Sequence, residues 1–148
     1  MIGEIGSLRV RVRPEYLPLY KQLLRNSLIK QHSEFFTLCC FMTNSKGQLD
    51  EQVNLTELCQ ANSFTEYQLT SLSALAYKHN QELLFYKELF QQMEQEADKG
   101  FTYLIENVWS NLVSYSEGGE VTIIPGREFE AQYLLAAHVS REMEEVPF

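Results

Sequence analysis

The sequence predicts a mainly α-helical, multi-helix single domain that begins with one short β-strand. The chain has 148 residues, a length that buries one substantial core but rarely divides into two domains. Apolar residues recur at helical spacing through most of the chain. The clearest exception is residues 7–13, where apolar and basic residues alternate with the period-two pattern of a half-buried strand.

The first 43 residues predict a strand followed by two helices. Pro14 ends the strand because proline lacks the backbone donor that pairing requires. Since one short strand is not stable alone, its expected partner is the same strand of a second copy or a weak strand at residues 121–124. A helix is predicted from Pro14 or Pro18 to about residue 26. The second helix, "SEFFTLCCFMT", follows a break at residues 27–31.

The remaining chain predicts further helices joined by short loops. Two capping-box patterns, Asn54 with Glu57 and Ser63 with Glu66, predict a short helix "LTELCQAN" and then a longer one. A helix over residues 81–98 is expected to be interrupted at Lys99-Gly100. The last helix covers about residues 127–145, and its predicted inward side consists of Phe129, Tyr133, Leu134, Ala137 and Val139.

Charge divides the chain into a basic front and an acidic body. Residues 1–46 hold seven Lys/Arg against three acids, whereas residues 47–148 hold five against seventeen. We therefore separate a basic strand-helix-helix front, residues 7–43, from an acidic helical body, residues 54–145. The pattern indicates an end that seeks anions, joined to a body that repels nucleic acid. The acids Glu94, Glu96 and Asp98 are interpreted as a solvated helix face.

The front resembles a ribbon-helix-helix unit, in which two copies pair their strands and insert the ribbon into the major groove of DNA. Side chains two positions apart share one face of a strand, and the guanidinium fork matches a guanine edge. The start of the second helix offers free amides to a phosphate. A homodimer is expected on this hypothesis. The candidate DNA-binding residues are Arg9, Arg11, Arg13, Lys30, His32 and Ser33.

The arginines have a second interpretation, and two other functions compete with a DNA-associated accessory protein. Arginines on an edge strand also oppose aggregation, and they can pair with the surplus carboxylates of the same chain. In a protein-interaction adaptor, the first alternative function, the arginine strand would pair with another chain and touch no nucleic acid. An antitoxin-like repressor, with a basic DNA-binding head and an acidic body that neutralises a basic toxin, is the other alternative.

The chain also resembles the small accessory proteins associated with Dnd-type DNA phosphorothioation systems of bacteria. The resemblance covers roughly residues 8–108 and rests on "RVRVRPEYLPLYKQLL", "QHSEFFTLCCFMTNSKG", "LSALAYKHNQELL" and "QMEQEADKGFTYLIENV". It implies a non-enzymatic role, with a protein partner, in a phage-defence or DNA-modification complex. It implies no catalytic residue.

The sequence predicts no enzyme, cofactor or metal site. It contains no phosphate-binding glycine loop and no nucleophile elbow, and its three histidines lie far apart. Cys39, Cys40 and Cys59 have no metal-ligand spacing and are interpreted as core thiols of a reducing compartment. No apolar run is long enough to span a membrane. We therefore expect a cytoplasmic protein without membrane contact.

Overall fold

Five α-helices and two pairs of short antiparallel strands form the described part of the chain, residues 5–43 and 53–144 of a computed structural model. One continuous hydrophobic core joins them, so the predicted mainly α-helical single domain is confirmed. The strands are β1 (Arg9–Val12), β2 (Thr56–Gln60), β3 (Val113–Tyr115) and β4 (Val121–Ile123). The helices are α1 (Leu17–Arg25), α2 (His32–Cys40), α3 (Glu66–Asn80), α4 (Tyr86–Tyr103) and α5 (Glu128–Glu144).

β1 pairs with β2 of the same chain. The two strands are antiparallel, with Arg9 opposite Gln60 and a register shift between Val10 and Arg11. The predicted short helix at residues 55–62 is therefore wrong, because the segment instead forms β2 and a 3-10 turn, Ala61–Ser63. Its inward residue, Leu58, packs in the core, and its backbone supplies the partner that β1 needs. Tertiary pairing overrides the local capping signal.

α1 and α2 lie where the sequence places them. Pro18 sits at the first turn of α1, where a missing amide donor costs little. α3 begins later than its predicted cap, because Ser63 belongs to the 3-10 turn and Thr65 caps the helix instead. Thr65 and Gln68 form a reciprocal capping box.

α4 is the central helix, and it runs through the predicted interruption at Gly100. A β-carbon at this position would overlap the carbonyl oxygen of Cys39, so glycine allows α2 to cross α4 in backbone contact. The glycine therefore marks a helix crossing and not a helix end. A π-helical turn, Leu104–Val108, continues α4.

β3 and β4 form a hairpin, so the weak strand predicted at residues 121–124 exists but pairs with β3 and not with β1. The buried side chain of Gln22 ties α1 to this hairpin. Its amide nitrogen donates to the Ile123 carbonyl at 2.8 Å, and its oxygen accepts from the Ile123 amide at 2.8 Å. The side chain thereby satisfies both backbone groups of a core residue.

α5 packs on the body chiefly through its first turns. Ala131 is fully buried, and its carbonyl accepts a 2.8 Å hydrogen bond from the indole nitrogen of Trp109. Trp109 in turn stacks on Phe35, with ring centroids 5.9 Å apart. The predicted inward orientation of Phe129 and Tyr133 is wrong, since 81% and 71% of these residues is exposed.

Candidate functional site

The best-anchored cation of the candidate DNA-binding strand is Arg11, which is bound by a carboxylate of α4. The backbone amide of Arg11 donates to Glu94 at 2.8 Å, and its Nε and Nη2 donate at 3.3 and 3.1 Å. The Glu94 side chain is 5% exposed, whereas 48% of the Arg11 side chain is exposed. Burial raises the pKa of Glu94, and the hydrogen bonds and charge of Arg11 act against that rise. The guanidinium therefore offsets the free-energy cost of removing the Glu94 carboxylate from water.

Arg13, directly after the end of β1, makes the same kind of pair. Its Nε and Nη2 donate to the two oxygens of Asp98 at 2.5 and 2.9 Å, a bidentate arrangement. The guanidinium carbon also lies 5.6 Å from the centre of the Tyr16 ring. The hydrogen bond to Asp98 raises the pKa of Arg13. The Arg13 side chain, which is 29% exposed, is thus held against α4.

The two pairs follow from the repeats of a strand and a helix. Residues two apart on a strand are about 6.6–6.8 Å apart, and residues four apart on a helix rise about 6 Å. Arg11 and Arg13 therefore match Glu94 and Asp98 as two rungs of a ladder. The interpretation of these acids as a solvated face is wrong. Glu96, two positions from each of them along α4, is also buried, at 1% exposure.

Arg9 forms the third and most exposed pair. Its Nε lies 2.9 Å from a Glu57 oxygen on β2, and the two side chains are 42% and 58% exposed. Its Nη1 also donates to the Ser7 carbonyl at 2.8 Å. Water competes for both partners, so this pair contributes little to stability. Arg9 and Arg11 of β1, and Arg13 directly after it, thus each have a carboxylate partner in their own chain.

The free edge of β1 is partly closed. One edge pairs with β2, and the amide of Arg11 donates to the Glu94 side chain. A second copy that paired along this edge would have to displace that carboxylate. The homodimer formed through an intermolecular ribbon stays a prediction, and the geometry opposes it.

The other candidate DNA-binding residues lie at the start of α2 and differ in exposure. Lys30 is exposed, whereas Ser33 is 2% exposed and cannot reach a phosphate without local rearrangement. His32 is half-buried beside Tyr20, with ring centroids 6.1 Å apart. Burial, and then the charge of Lys21, lower the pKa of His32, so near neutral pH this side chain adds no positive charge. The structure does not assemble the six candidates into one exposed cationic surface.

A second surface, the outer face of α5, combines two exposed aromatic side chains. Phe129 and Tyr133 stand four residues apart and so share one side of the helix. Each is two positions from the buried Ala131, a rotation of about 200° that turns both away from the core. The Arg127–Glu130 pair at 2.7 Å lies in the same turn and is also exposed. We call the exposed surface formed by Phe129, Tyr133 and the neighbouring carboxylate of Glu130 the aromatic face.

Sequence reasoning missed this face because two apolar stripes compete on α5. One stripe contains the aromatic residues, and the other contains Ala131, Leu134 and Leu135 at the i, i+3, i+4 spacing of an inward face. The predicted inward side mixed members of both stripes, since it included the exposed aromatic residues together with Leu134, which packs against the core. The spacing of the smaller residues was the signal that identifies the buried side.

The described residues provide no metal centre and no reactive thiol. No group of three or more His, Cys, Asp or Glu among them is arranged to hold a metal ion. Cys39 and Cys40 are fully buried, and burial raises the pKa of both thiols. Burial also raises the pKa of Cys59, to about 11. Across the part of the chain that is described, no helix is both long and apolar enough to cross a bilayer.

No family model matches the chain, and no curated protein or solved structure is significantly similar to it. The resemblances to ribbon-helix-helix units and to accessory proteins of phosphorothioation systems therefore stay hypotheses.

Proposed function

We propose that this chain is a non-enzymatic protein-interaction adaptor that binds a partner protein through the aromatic face of α5. The observation that carries the proposal is the exposure of Phe129 and Tyr133, at 81% and 71%, on a regular helix. Large aromatic side chains bury about 150–250 Å² each and dominate the energy of many interfaces. Two of them one turn apart form the apolar centre that a docking surface needs.

The acidic charge of the body as a whole, more than the charge at the aromatic face itself, favours a partner with basic residues beside an apolar recess. Glu130 is half exposed, and its carboxylate already binds Arg127 in the same turn. Residues 47–148 carry twelve more acids than basic residues, so the body as a whole attracts cations. Charge complementarity of this kind speeds association and selects partners more than it adds affinity.

The front of the molecule supports the adaptor over a DNA-binding protein. Its three arginines face three carboxylates, Glu57, Glu94 and Asp98, so the strand presents little net positive charge. DNA affinity comes largely from cations that replace the counterions of phosphates. A phosphate at Arg11 or Arg13 would have to compete with a carboxylate that is itself largely buried. The exchange would leave that carboxylate without its cation.

DNA contact remains the second candidate, because Arg9 and Arg11 still expose 42% and 48% of their side chains and Lys30 is exposed nearby. These cations support a weak, sequence-independent contact with phosphates. In this version the partner on α5 belongs to a DNA-modification or defence complex, as the resemblance implies, or is a basic toxin. Binding to duplex DNA that falls steeply with rising salt supports this candidate.

Partner capture with matched variants tests the adaptor. The tagged chain is cross-linked in its native cells, and captured proteins are quantified for the wild type and for a Phe129→Ser/Tyr133→Ser double variant. We expect at least one partner to fall about tenfold or more in the double variant, because its apolar anchors are gone. Both side chains are exposed, so the fold is expected to be unchanged, and circular dichroism checks this.

The control is Tyr115→Ser on the β3–β4 hairpin, where the tyrosine is 59% exposed. It removes a comparable exposed aromatic group from another surface and is expected to retain the partner. Equal recovery with the double variant and the wild type refutes the assignment to α5. Equal loss with both variants shows that capture reports general stickiness, and it also refutes the assignment.

A further inference from the structure

An open apolar groove is lined by the middle of α5, by α2 and by the connection between α1 and α2. The groove has a volume of about 550 Å³, within the range of small-molecule sites. Five of its wall residues are apolar and only half-buried, namely Leu28, Ile29, Leu38, Leu135 and Val139. The groove therefore leaves apolar surface open to the solvent beside the core.

A helix-capping motif builds the wall that the α1–α2 connection contributes. Ser27 has a φ of 61°, in the left-handed region where glycine usually follows a helix. Its amide donates to the Leu24 carbonyl at 3.1 Å, and the Leu28 amide donates to the Leu23 carbonyl at 3.0 Å. These are the two hydrogen bonds of a Schellman motif, which brings Leu28 back toward Leu23. Both leucines line the groove, so backbone hydrogen bonds hold this wall in place.

The charge of the groove is acidic. Glu34, in the first turn of α2, is exposed, and none of the described lining residues is a lysine, arginine or histidine. Lys30 is exposed nearby in the sequence but does not line the groove. In the described part of the chain, no cation forms an ion pair with Glu34. A neutral ligand that covered this carboxylate would remove part of its water without replacing it, and an anion would be repelled. The net charge of −8 for the whole chain also favours a cation.

We propose that this groove binds a small hydrophobic amine. The ammonium group pairs with Glu34, and the apolar body lies against Leu28, Ile29, Leu135 and Val139. An ion pair at an exposed carboxylate contributes little free energy, so the apolar walls supply most of the affinity and Glu34 selects the head group. The residues of the aromatic face do not line the groove, so the proposal does not depend on the adaptor function.

Quenching of Trp109 tests the proposal, because Trp109 is the only tryptophan of the chain and borders the groove. The purified full chain is titrated with three ligands that share a bromophenyl group and differ in the head group: 4-bromophenethylamine, 4-bromophenethyl alcohol and 4-bromohydrocinnamate. Bromine quenches the emission of an indole that it contacts, so saturable quenching reports a ligand in this groove. We expect half-saturation by the amine at a concentration about three- to fivefold lower than by the alcohol, and about tenfold lower than by the acid.

Three outcomes of this titration overturn the proposal. Equal affinity of the amine and the alcohol would show that Glu34 does not select the head group. Tighter binding of the acid would show that the groove takes an anion. No saturable quenching by any of the three ligands would show that the groove takes no molecule of this kind and is left to a protein segment.

Two charge variants separate the carboxylate of the groove from the net charge of the protein. Glu34→Gln and Glu66→Gln each remove one exposed carboxylate from the first turn of a helix, but Glu66, on α3, does not line the groove. We expect Glu34→Gln to abolish the preference for the amine and to leave the affinity for the alcohol unchanged. Glu66→Gln should retain both. A preference for the amine that survives in Glu34→Gln refutes the proposal.

A second pair of variants locates the ligand, since Glu34 also lines a neighbouring groove between α2 and α3. Ala136 lines only the groove beside α5, and Ala74 lines only the neighbouring one; both are exposed alanines within helices. Ala136→Leu fills part of the proposed site and should weaken the amine and the alcohol several-fold, whereas Ala74→Leu should change neither. Unchanged binding to Ala136→Leu, or weaker binding to Ala74→Leu alone, would place the ligand elsewhere and contradict the proposal.

Discussion

Removal of the Arg11 side chain should destabilise the protein far more than removal of the Arg9 side chain, although both belong to the same face of β1. Arg11→Ala deletes two charge-assisted hydrogen bonds to Glu94, which is 5% exposed, and retains the one from the backbone. Each such bond contributes about 1.5–3 kcal/mol when it is buried. Because Arg11 is half exposed and water replaces part of the interaction, we expect Arg11→Ala to lower the free energy of unfolding by about 2 kcal/mol in total. Arg9→Ala breaks a pair exposed on both sides and should cost at most about 1 kcal/mol.

The assay is urea unfolding followed by circular dichroism, with the free energy of unfolding measured between pH 4 and 8. Burial raises the pKa of Glu94 above its ordinary 4.5. The stabilisation associated with the protonated carboxyl is therefore fully present below pH 4.5, and it is lost as the pH rises through the raised pKa. Arg11→Ala removes the group that opposes the rise, so the pKa of Glu94 climbs further. The cost of the substitution should therefore be small in acid and grow toward neutral pH. Equal costs for the two variants at pH 7, or a cost for Arg11→Ala that is larger in acid, would refute the reasoning.

Three further substitutions or reactions test the fold. Gly100→Ala should lower the free energy of unfolding in urea by about 3 kcal/mol or more, because the added methyl group meets the Cys39 backbone. In the control, Gly118→Ala, only the Ser116 hydroxyl lies near the new methyl group, at 3.9 Å, and the loss should be less than about 1 kcal/mol. Similar losses for the two variants would contradict the close crossing of α2 and α4. Gln22→Leu should cost about 2–3 kcal/mol in the same assay, since it leaves both backbone groups of Ile123 without their partner, and a neutral effect would show that these bonds are unimportant. Iodoacetamide at pH 8 should label the native protein slowly and the urea-unfolded protein fast, because burial raises the pKa of all three thiols; fast native labelling of Cys39 or Cys40 would contradict their burial.

The sequence predicts α1 and α2 because apolar side chains that enter the core recur along both. α1 and α2 begin and end within a few residues of their predicted bounds, and the alternation of β1 is a strand as expected. β2 could not be recognised, since "TELCQ" lacks a clear period and is a strand because β1 lies beside it. Gly100 shows the same limit, because its role depends on a second helix that no local pattern reveals.

The sequence reveals the arginines of the candidate site but not the carboxylates that bind them. Alternation predicts one shared face for Arg9, Arg11 and Arg13, and residues 9–12 do alternate between exposed and buried. The carboxylate partners of Arg11 and Arg13 are more than eighty residues away in the sequence. Those partners depend on how α4 crosses β1, and local spacing carries no information about that. The acids of α4 were interpreted as solvated for the same reason. Whether any arginine touches DNA stays a prediction.

The most direct test of the account is the affinity of the purified protein for a 30-base-pair duplex, measured by fluorescence anisotropy from low to physiological salt. If Arg9, Arg11 and Arg13 serve the fold, the wild type shows no more than weak binding at low salt, and Arg9→Ala changes it little. Tight binding that falls steeply with salt and is lost in Arg9→Ala, while that variant keeps its stability, would contradict the account and restore the strand as a DNA-binding element.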